Sequence, residues 1–162
     1  MAQRIAITGM ALAALSLAAL GLAGCSGQET GLFPRFGLYF NQDSQGADLA
    51  YGEANSDNVG VMLQCAKGSR TVELTDVARG GLRGPLVLVS GSQQVSVPAR
   101  LLVDDTGEAL AEATLPLDAP VLQGFRRSGA IAVSLGGLRY GLKARRAEEA
   151  AVSSFFTACD RS

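Results

Sequence analysis

The sequence predicts a mainly β fold, an antiparallel β-sandwich or small barrel with a short helix near residues 119–127 and a C-terminal amphipathic helix. Short segments of alternating apolar and polar residues recur along the body of the chain, separated by Gly, Pro, Asn and Asp. A sustained helical period appears only after Ala144. Because the chain has 162 residues, we expect one β-rich domain over residues 32–162, with about seven to nine strands.

The first half of this domain predicts one clear hairpin. Residues 32–40 group apolar and aromatic side chains around one Pro, and residues 41–46 have the composition of a turn. From residue 58 to residue 76 apolar and polar positions alternate on both sides of the turn Ala66-Lys67-Gly68-Ser69. We therefore expect two paired strands over residues 58–76, with Cys65 near the tip of the hairpin.

The middle of the chain predicts three further strands. Leu86–Val89 is a continuous apolar run, which is typical of a strand buried on both faces. Residues 94–103 alternate and predict one strand, which Pro98 restricts to an edge or a bulge because proline has no N–H to donate. After a turn at residues 105–107, residues 108–115 are expected to pair back.

The last third predicts two helices on either side of a hairpin. Asp118-Ala119-Pro120 combines a capping Asp with a Pro in the first turn, so residues 121–127 predict a short helix ended by Ser128-Gly129. Gly136-Gly137 separates two short strands. Residues 144–159 then predict the terminal helix, whose apolar stripe contains Ala147, Ala151, Val152, Phe155, Phe156 and Cys159. Arg145 and Arg146 oppose its dipole, so packing must stabilise it.

Composition and charge exclude several function classes. The chain has 14 Lys and Arg against 15 Asp and Glu, a net charge of −1, so no basic excess is present to bind nucleic acid. It has no His, which excludes Ser-His-Asp and Cys-His catalysis and imidazole zinc sites. We therefore predict a non-enzymatic protein that uses no cofactor.

The N-terminal segment has the pattern of an export signal. Arg4 precedes an apolar stretch from Ile5 to Leu22, and small residues follow before Cys25. The tetrapeptide Leu22-Ala23-Gly24-Cys25 resembles the lipobox of bacterial lipoproteins. The resemblance implies that residues 1–24 are a signal peptide, that the Cys25 thiol carries diacylglycerol, and that residues 25–31 form a lipidated tether. The alternatives are a retained membrane anchor or ordinary cleavage.

This resemblance places the protein in the bacterial cell envelope. The membrane is its first partner, through the lipid on Cys25, and the domain is expected to face the periplasm. In Gram-negative lipoproteins an Asp after the lipidated Cys commonly signals retention at the inner membrane, and Ser26 stands there instead. The outer membrane is therefore favoured if the bacterium is Gram-negative.

Two cysteines remain once Cys25 is assigned to lipid. Cys65 and Cys159 form an even pair in a chain exported to an oxidising compartment, so we expect them to be joined by a disulfide. The alternative is two buried free thiols that behave as small apolar residues.

Asp105-Thr106-Gly107 matches the catalytic triplet of aspartic proteases of the retroviral type. The flanking Asp104 and Glu108 depart from the family, whose members have uncharged residues at both positions. A solvated hairpin turn explains the triplet through backbone preferences alone, so we predict a turn. An aspartic protease-like enzyme is the remote alternative.

A second group of acids lies earlier in the chain. Asp43, Asp48, Glu53 and Asp57 fall in a stretch that we predict to be loop-rich. Their spacing does not match a calcium loop, so we expect solvated side chains. The pairs Arg126-Arg127 and Arg145-Arg146 are interpreted as solvated helix faces, with lipid headgroups or an anionic partner as the alternative.

The leading functional hypothesis is a lipid-anchored protein that binds or scaffolds another envelope component, either a protein or a peptidoglycan-related partner. A lysozyme-type hydrolase inhibitor is the alternative. Cys65-Ala66-Lys67-Gly68, followed by Val72 and Leu74, resembles the Cys-containing strand and turn of the membrane-bound C-type lysozyme inhibitors. The Ser-Gly-x-x-Tyr and Trp-bearing segment of those inhibitors has no counterpart in this chain.

The lipid assignment predicts the behaviour of a single variant. Only the Cys25 thiol is placed to accept the diacylglyceryl group, so Cys25→Ser should abolish metabolic labelling with a radioactive fatty acid and leave uncut precursor. Gel mobility and fluorography of the two proteins measure this. Normal maturation and labelling of Cys25→Ser would show that the chain is not a lipoprotein.

Overall fold

The computed structural model describes residues 35–77, 83–103 and 109–161. Cys25 and the triplet at residues 105–107 lie outside the described residues. The described part contains ten strands and two helices, in the order β1 (Phe36–Gln42), β2 (Gly46–Glu53), β3 (Val59–Ala66), β4 (Thr71–Val77), β5 (Leu86–Ser90), β6 (Gln93–Val97), β7 (Arg100–Val103), β8 (Ala109–Pro116), α1 (Pro120–Ser128), β9 (Ala130–Leu135), β10 (Leu138–Lys143) and α2 (Glu149–Asp160). Neither helix is long and apolar enough to span a membrane.

The strands form two antiparallel sheets. A six-stranded sheet has the order β1-β2-β3-β4-β8-β7, and a four-stranded sheet has the order β10-β9-β5-β6. The arrangement is sandwich-like and is not a closed barrel. The predicted mainly β fold with two helices is therefore confirmed, and of the two architectures the sandwich is the correct one.

One predicted strand is divided between the two sheets. Residues 94–103 were expected to form a single strand, but the chain breaks at Pro98 and Ala99 into β6 and β7. Each piece is an edge strand, β6 in the four-stranded sheet and β7 in the six-stranded sheet. The prediction of one strand is wrong, although Pro98 acts for the expected reason, since a residue without an N–H interrupts a ladder.

The predicted loop-rich stretch contains a strand. β2 pairs with β1 on one side and with β3 on the other, so Asp48 and Glu53 lie on a strand and not in a loop. Gly, Ala and Asp have weak strand preference, and pairing on both sides outweighs it. In the preceding turn the Asp43 carboxylate accepts hydrogen bonds from the N–H groups of Gln45, at 2.7 Å, and Gly46, at 3.0 Å.

The core lies against one face of the six-stranded sheet. Leu49, Leu63 and Leu74 are register partners and are fully buried. Alternation puts polar side chains on the opposite face. α2 packs on β1 and β2, and α1 packs on the strands of the other sheet. The rings of Phe125, Phe155 and Phe156 meet edge to face where the two helices approach, with centroid separations of 6.1 and 5.3 Å.

A buried polar contact joins the two sheets. The Tyr140 hydroxyl on β10 donates a hydrogen bond to the Asp76 carboxylate on β4, and both side chains are buried. A buried carboxylate needs such a donor because desolvation is costly. The contact therefore favours one relative placement of the sheets.

Both helices start differently from prediction. α1 has Ala119 as its N-cap, with no side-chain cap bond, so the predicted capping by Asp118 is wrong. Its end is as predicted, because Gly129 adopts a left-handed φ of 64°. α2 begins at Glu149 and not at residue 144. The Glu148 carboxylate accepts bonds from the Arg145 N–H at 2.9 Å and from its Nε at 2.6 Å, which holds residues 145–148 as a turn.

The expected disulfide is present. Cys65 at the end of β3 is bonded to Cys159 in the last turn of α2, and the Cα atoms lie 5.9 Å apart. Both residues are buried in the core. The bond closes a loop of 94 residues and ties the C-terminal helix to the centre of the six-stranded sheet.

Removal of this bond should lower the melting temperature. The chain-entropy model assigns about 4 kcal/mol to a loop of this length, so reduction should lower Tm by roughly 10 °C. Circular dichroism of the full chain with and without a reductant measures the shift, and Cys65→Ala with Cys159→Ala should reproduce it. Equal melting temperatures for the oxidised and reduced protein would contradict the expected stabilisation.

Candidate functional site

The six-stranded sheet has two ends with different chemistry. One row of register partners crosses the whole sheet, through Leu38, Tyr51, Val61, Asp76, Ala111 and Leu101. We call the end where β1 begins at Phe36 and β7 ends at Val103 the N-terminal end. The opposite end carries the turns between β1 and β2 and between β3 and β4, and we call it the turn end.

A cleft opens on the outer face of the sheet at the turn end. The outer face is the one turned away from the core, and one of its rows contains Asp48, Gln64, Glu73 and Thr114. The cleft has a volume of about 360 Å³. Its lining consists of Asp43, Gln45, Gly46, Asp48, Gln64, Cys65, Ala66, Ser69, Thr71, Glu73 and Thr114. We call it the turn-end cleft.

Backbone contacts hold the rim of this cleft. The N–H of Lys67 donates to the carbonyl of Gln45 at 2.6 Å, so the two turns are joined to each other. Gly46 is needed here, because a Cβ atom on it would collide with the carbonyl oxygen of Cys65. The Ser69 hydroxyl accepts the Thr71 N–H at 3.1 Å. The rim is therefore set by hydrogen bonds of the main chain.

The charges that line the cleft all have one sign. Asp43, Asp48 and Glu73 are acidic, and no Lys or Arg is among the lining residues. Gln64 donates to the Asp48 carboxylate at 3.0 Å, and Ser69 and Thr71 add hydroxyl groups. Such a surface is suited to cationic groups and to hydrogen-bond donors. In the part of the chain that the structure describes, no group of three His, Cys, Asp or Glu is arranged to hold a metal ion.

The four acids singled out in the sequence are separated into two pairs. Asp43 and Asp48 line the cleft. Glu53 is the last residue of β2 and lies at the N-terminal end of the sheet, where it faces Arg35 at 3.8 Å. Asp57 follows in the next turn. Two further lining residues, Glu73 on β4 and Thr114 on β8, were not predicted from the sequence. Both residues occupy polar positions in strands where apolar and polar residues alternate. This alternation predicts that their side chains face solvent, but it does not predict which strands are neighbours in the sheet.

One arginine of each pair contacts another element, while Arg127 and Arg146 are exposed. Arg126 forms an ion pair with Asp160 at 2.8 Å and lies 5.6 Å above the Phe156 ring. Arg145 pairs with Glu148 and donates to the Phe36 carbonyl at 3.3 Å. These two arginines therefore connect α1 to α2 and the start of α2 to β1.

Aromatic side chains of the first two strands lie mostly in the core. Phe36 and Tyr51 pack edge to face with centroids 5.4 Å apart, and Tyr39 is exposed. Burial raises the pKa of the Tyr51 hydroxyl, and the nearby Glu148 carboxylate raises that pKa further, while Arg145 lowers it. Phe33 lies outside the described residues.

Comparison with known proteins leaves the site to be judged from its own geometry. No family model, no curated protein and no solved structure matches the chain.

The raised pKa of Tyr51 predicts a pH dependence of stability. Because the folded pKa lies above the unfolded value of 10.0, the contribution of Tyr51 is fully present below that value and is lost as the pH rises through the folded pKa. Tyr51→Phe should therefore lose less stability than the parent between pH 9 and pH 11, which urea unfolding at each pH measures.

Tyr39→Phe is the matched control for this experiment, because Tyr39 is exposed on the neighbouring strand. The Tyr39→Phe variant should lose as much stability as the parent protein between pH 9 and pH 11. An identical alkaline loss in Tyr51→Phe and in the parent would mean that Tyr51 does not carry the effect.

Proposed function

We propose that this chain is a non-enzymatic bacterial lipoprotein, anchored through Cys25, that binds a cationic segment of another envelope protein in the turn-end cleft. The observation that carries the proposal is the set of three carboxylates in a cleft lined by no basic side chain. The anchor itself is supported by the sequence Leu22-Ala23-Gly24-Cys25. The expected location is the periplasmic face of the envelope, at the outer membrane if the bacterium is Gram-negative.

The position of the cleft suits a tethered binding protein. The chain enters the domain at the N-terminal end, and β1 runs from Phe36 to Gln42 toward the cleft. At about 3.3 Å per residue, a strand of this length separates the two ends by about 20 Å. The cleft therefore lies on the side away from the point of attachment, where a partner has access.

The chemistry of the cleft favours a reversible, salt-sensitive contact. Its carboxylates are close to solvent, so each ion pair with a Lys or Arg of the partner contributes little, roughly 0 to 1 kcal/mol. Specificity then comes from the relative positions of the three carboxylates and of the hydrogen-bonding groups of Gln64 and Thr114, which a partner must match. Binding should weaken as the ionic strength rises, because salt screens exposed charges.

A photoreactive residue in the cleft tests this function in cells. With p-benzoylphenylalanine at Ala66, an exposed residue of the cleft lining, irradiation of the full lipoprotein should give a discrete protein adduct. Glu73→Lys in the same chain should reduce the adduct by about fivefold to tenfold, because one attraction becomes a repulsion. Asp57→Lys is the matched control: it makes the same charge change in an exposed turn outside the cleft and should leave the adduct unchanged.

Three results would contradict the proposal. The adduct from Ala66 could be absent, it could be equally strong in Glu73→Lys, or it could be lost in Asp57→Lys as well. An adduct with peptidoglycan fragments in place of protein would keep the cleft as a binding site and change the class of its partner.

Lysozyme inhibition is the second candidate. Part of the segment that carries the resemblance to the C-type lysozyme inhibitors lies at the cleft, where Cys65 and Ala66 belong to the lining, whereas Val72 and Leu74 are buried in the core. The chain contains no Trp, so the Trp-bearing inhibitory segment has no counterpart. A lysozyme activity assay with the purified lipoprotein separates the two candidates, and we expect full lysozyme activity.

A further inference from the structure

Three aliphatic side chains are exposed at the N-terminal end of the six-stranded sheet, two on its outer face and one on the opposite face. Leu102 and Leu110 are register partners on β7 and β8, and they are 37% and 39% exposed on the outer face. Val103, the last residue of β7, is 66% exposed and points to the opposite face, where its register partner is Ala109. Single exposed apolar residues are ordinary, but here they gather at one end of an edge strand and its neighbour, so this end of the sheet is apolar on both faces.

The outer face of the sheet changes from polar to apolar along its strands. Its row at the turn end contains Asp48, Gln64, Glu73 and Thr114. The row nearest the N-terminal end contains Val77, Leu110 and Leu102. Between them Arg100 pairs with Glu112 across β7 and β8. The apolar patch is thus separated from the acidic cleft by one ion-paired row.

The segment between Cys25 and the domain limits how far the domain can lie from a lipid carried by Cys25. Residues 26–34 connect Cys25 to Arg35, and at about 3.3 to 3.6 Å per residue they reach at most about 36 Å. The six strands place β7 about 24 Å from β1, at about 4.8 Å per step. This segment of nine residues is therefore long enough for the end of the sheet to lie on the bilayer, and it keeps the start of the domain within about 36 Å of the lipid on Cys25.

We propose that the N-terminal end of the six-stranded sheet rests on the lipid surface, with Leu102, Val103 and Leu110 inserted among the headgroups. This inference rests on the lipid anchor of the proposed function. Shallow insertion of aliphatic side chains is favourable because it removes apolar surface from water. The nearest charged row on the outer face is neutral overall, because Arg100 is paired with Glu112. The same orientation turns the acidic cleft away from the membrane.

Tryptophan fluorescence tests the orientation, since the chain has no Trp of its own. The full lipoprotein with Val103→Trp is reconstituted into phosphatidylcholine vesicles, with and without brominated lipid. We expect the brominated lipid to reduce the emission of this Trp at least twofold. Lys67→Trp is the matched control: Lys67 is exposed in the turn between β3 and β4, at the other end of the sheet, and its replacement should not be quenched.

Flotation of the parent protein with the same vesicles separates the two levels of the proposal. If the parent floats and Val103→Trp is not quenched, the anchor stands and the membrane-facing orientation is overturned. Equal quenching of both variants overturns it too, because the domain then has no preferred face. A parent that does not float with the vesicles overturns the anchor and with it this inference. Leu110→Trp provides a second site and should be quenched like Val103→Trp.

Discussion

The bond between Cys65 and Cys159 fixes the C-terminal helix on the apolar face of the six-stranded sheet. An antiparallel sheet of alternating residues can bury one face and leave the other in water. The disulfide fixes the last turn of α2 against the end of β3, on the face that carries Leu49, Leu63 and Leu74. Because α2 also contacts β1 and β2, it covers the core face of the first three strands. The outer face of these strands remains available for contacts.

That free outer face divides the molecule into two chemical ends. The turn end collects carboxylates because Asp48 and Glu73 occupy outward positions of neighbouring strands, and the Asp43 turn adds a third. The N-terminal end has aliphatic residues at equivalent outward positions of β7 and β8. Both ends follow from the two-residue period of a strand. The alternation that places apolar side chains in the core also determines which side chains face solvent.

The sequence predicted what depends on short-range pattern. Alternation and turn residues predicted the hairpin of β3 and β4, the strands around Gly136-Gly137 and the end of α1. The even number of cysteines left after Cys25 predicted the disulfide. β2 was missed because Gly46–Glu53 has weak strand preference and is held by partners on both sides. The division at Pro98, the Asp76 to Tyr140 contact and the meeting of Glu73 with Thr114 depend on pairing between distant segments, which local pattern does not specify.

The two proposals together place a binding surface and a membrane surface at opposite ends of one sheet. A tether alone limits distance but not rotation, so a cleft presented only by the tether would face the bilayer part of the time. In the proposed orientation the apolar side chains at the N-terminal end bias that rotation, because the orientation that inserts them also exposes the cleft. Partner binding and shallow insertion would then both stabilise the same orientation of the domain, so each would increase the population from which the other occurs.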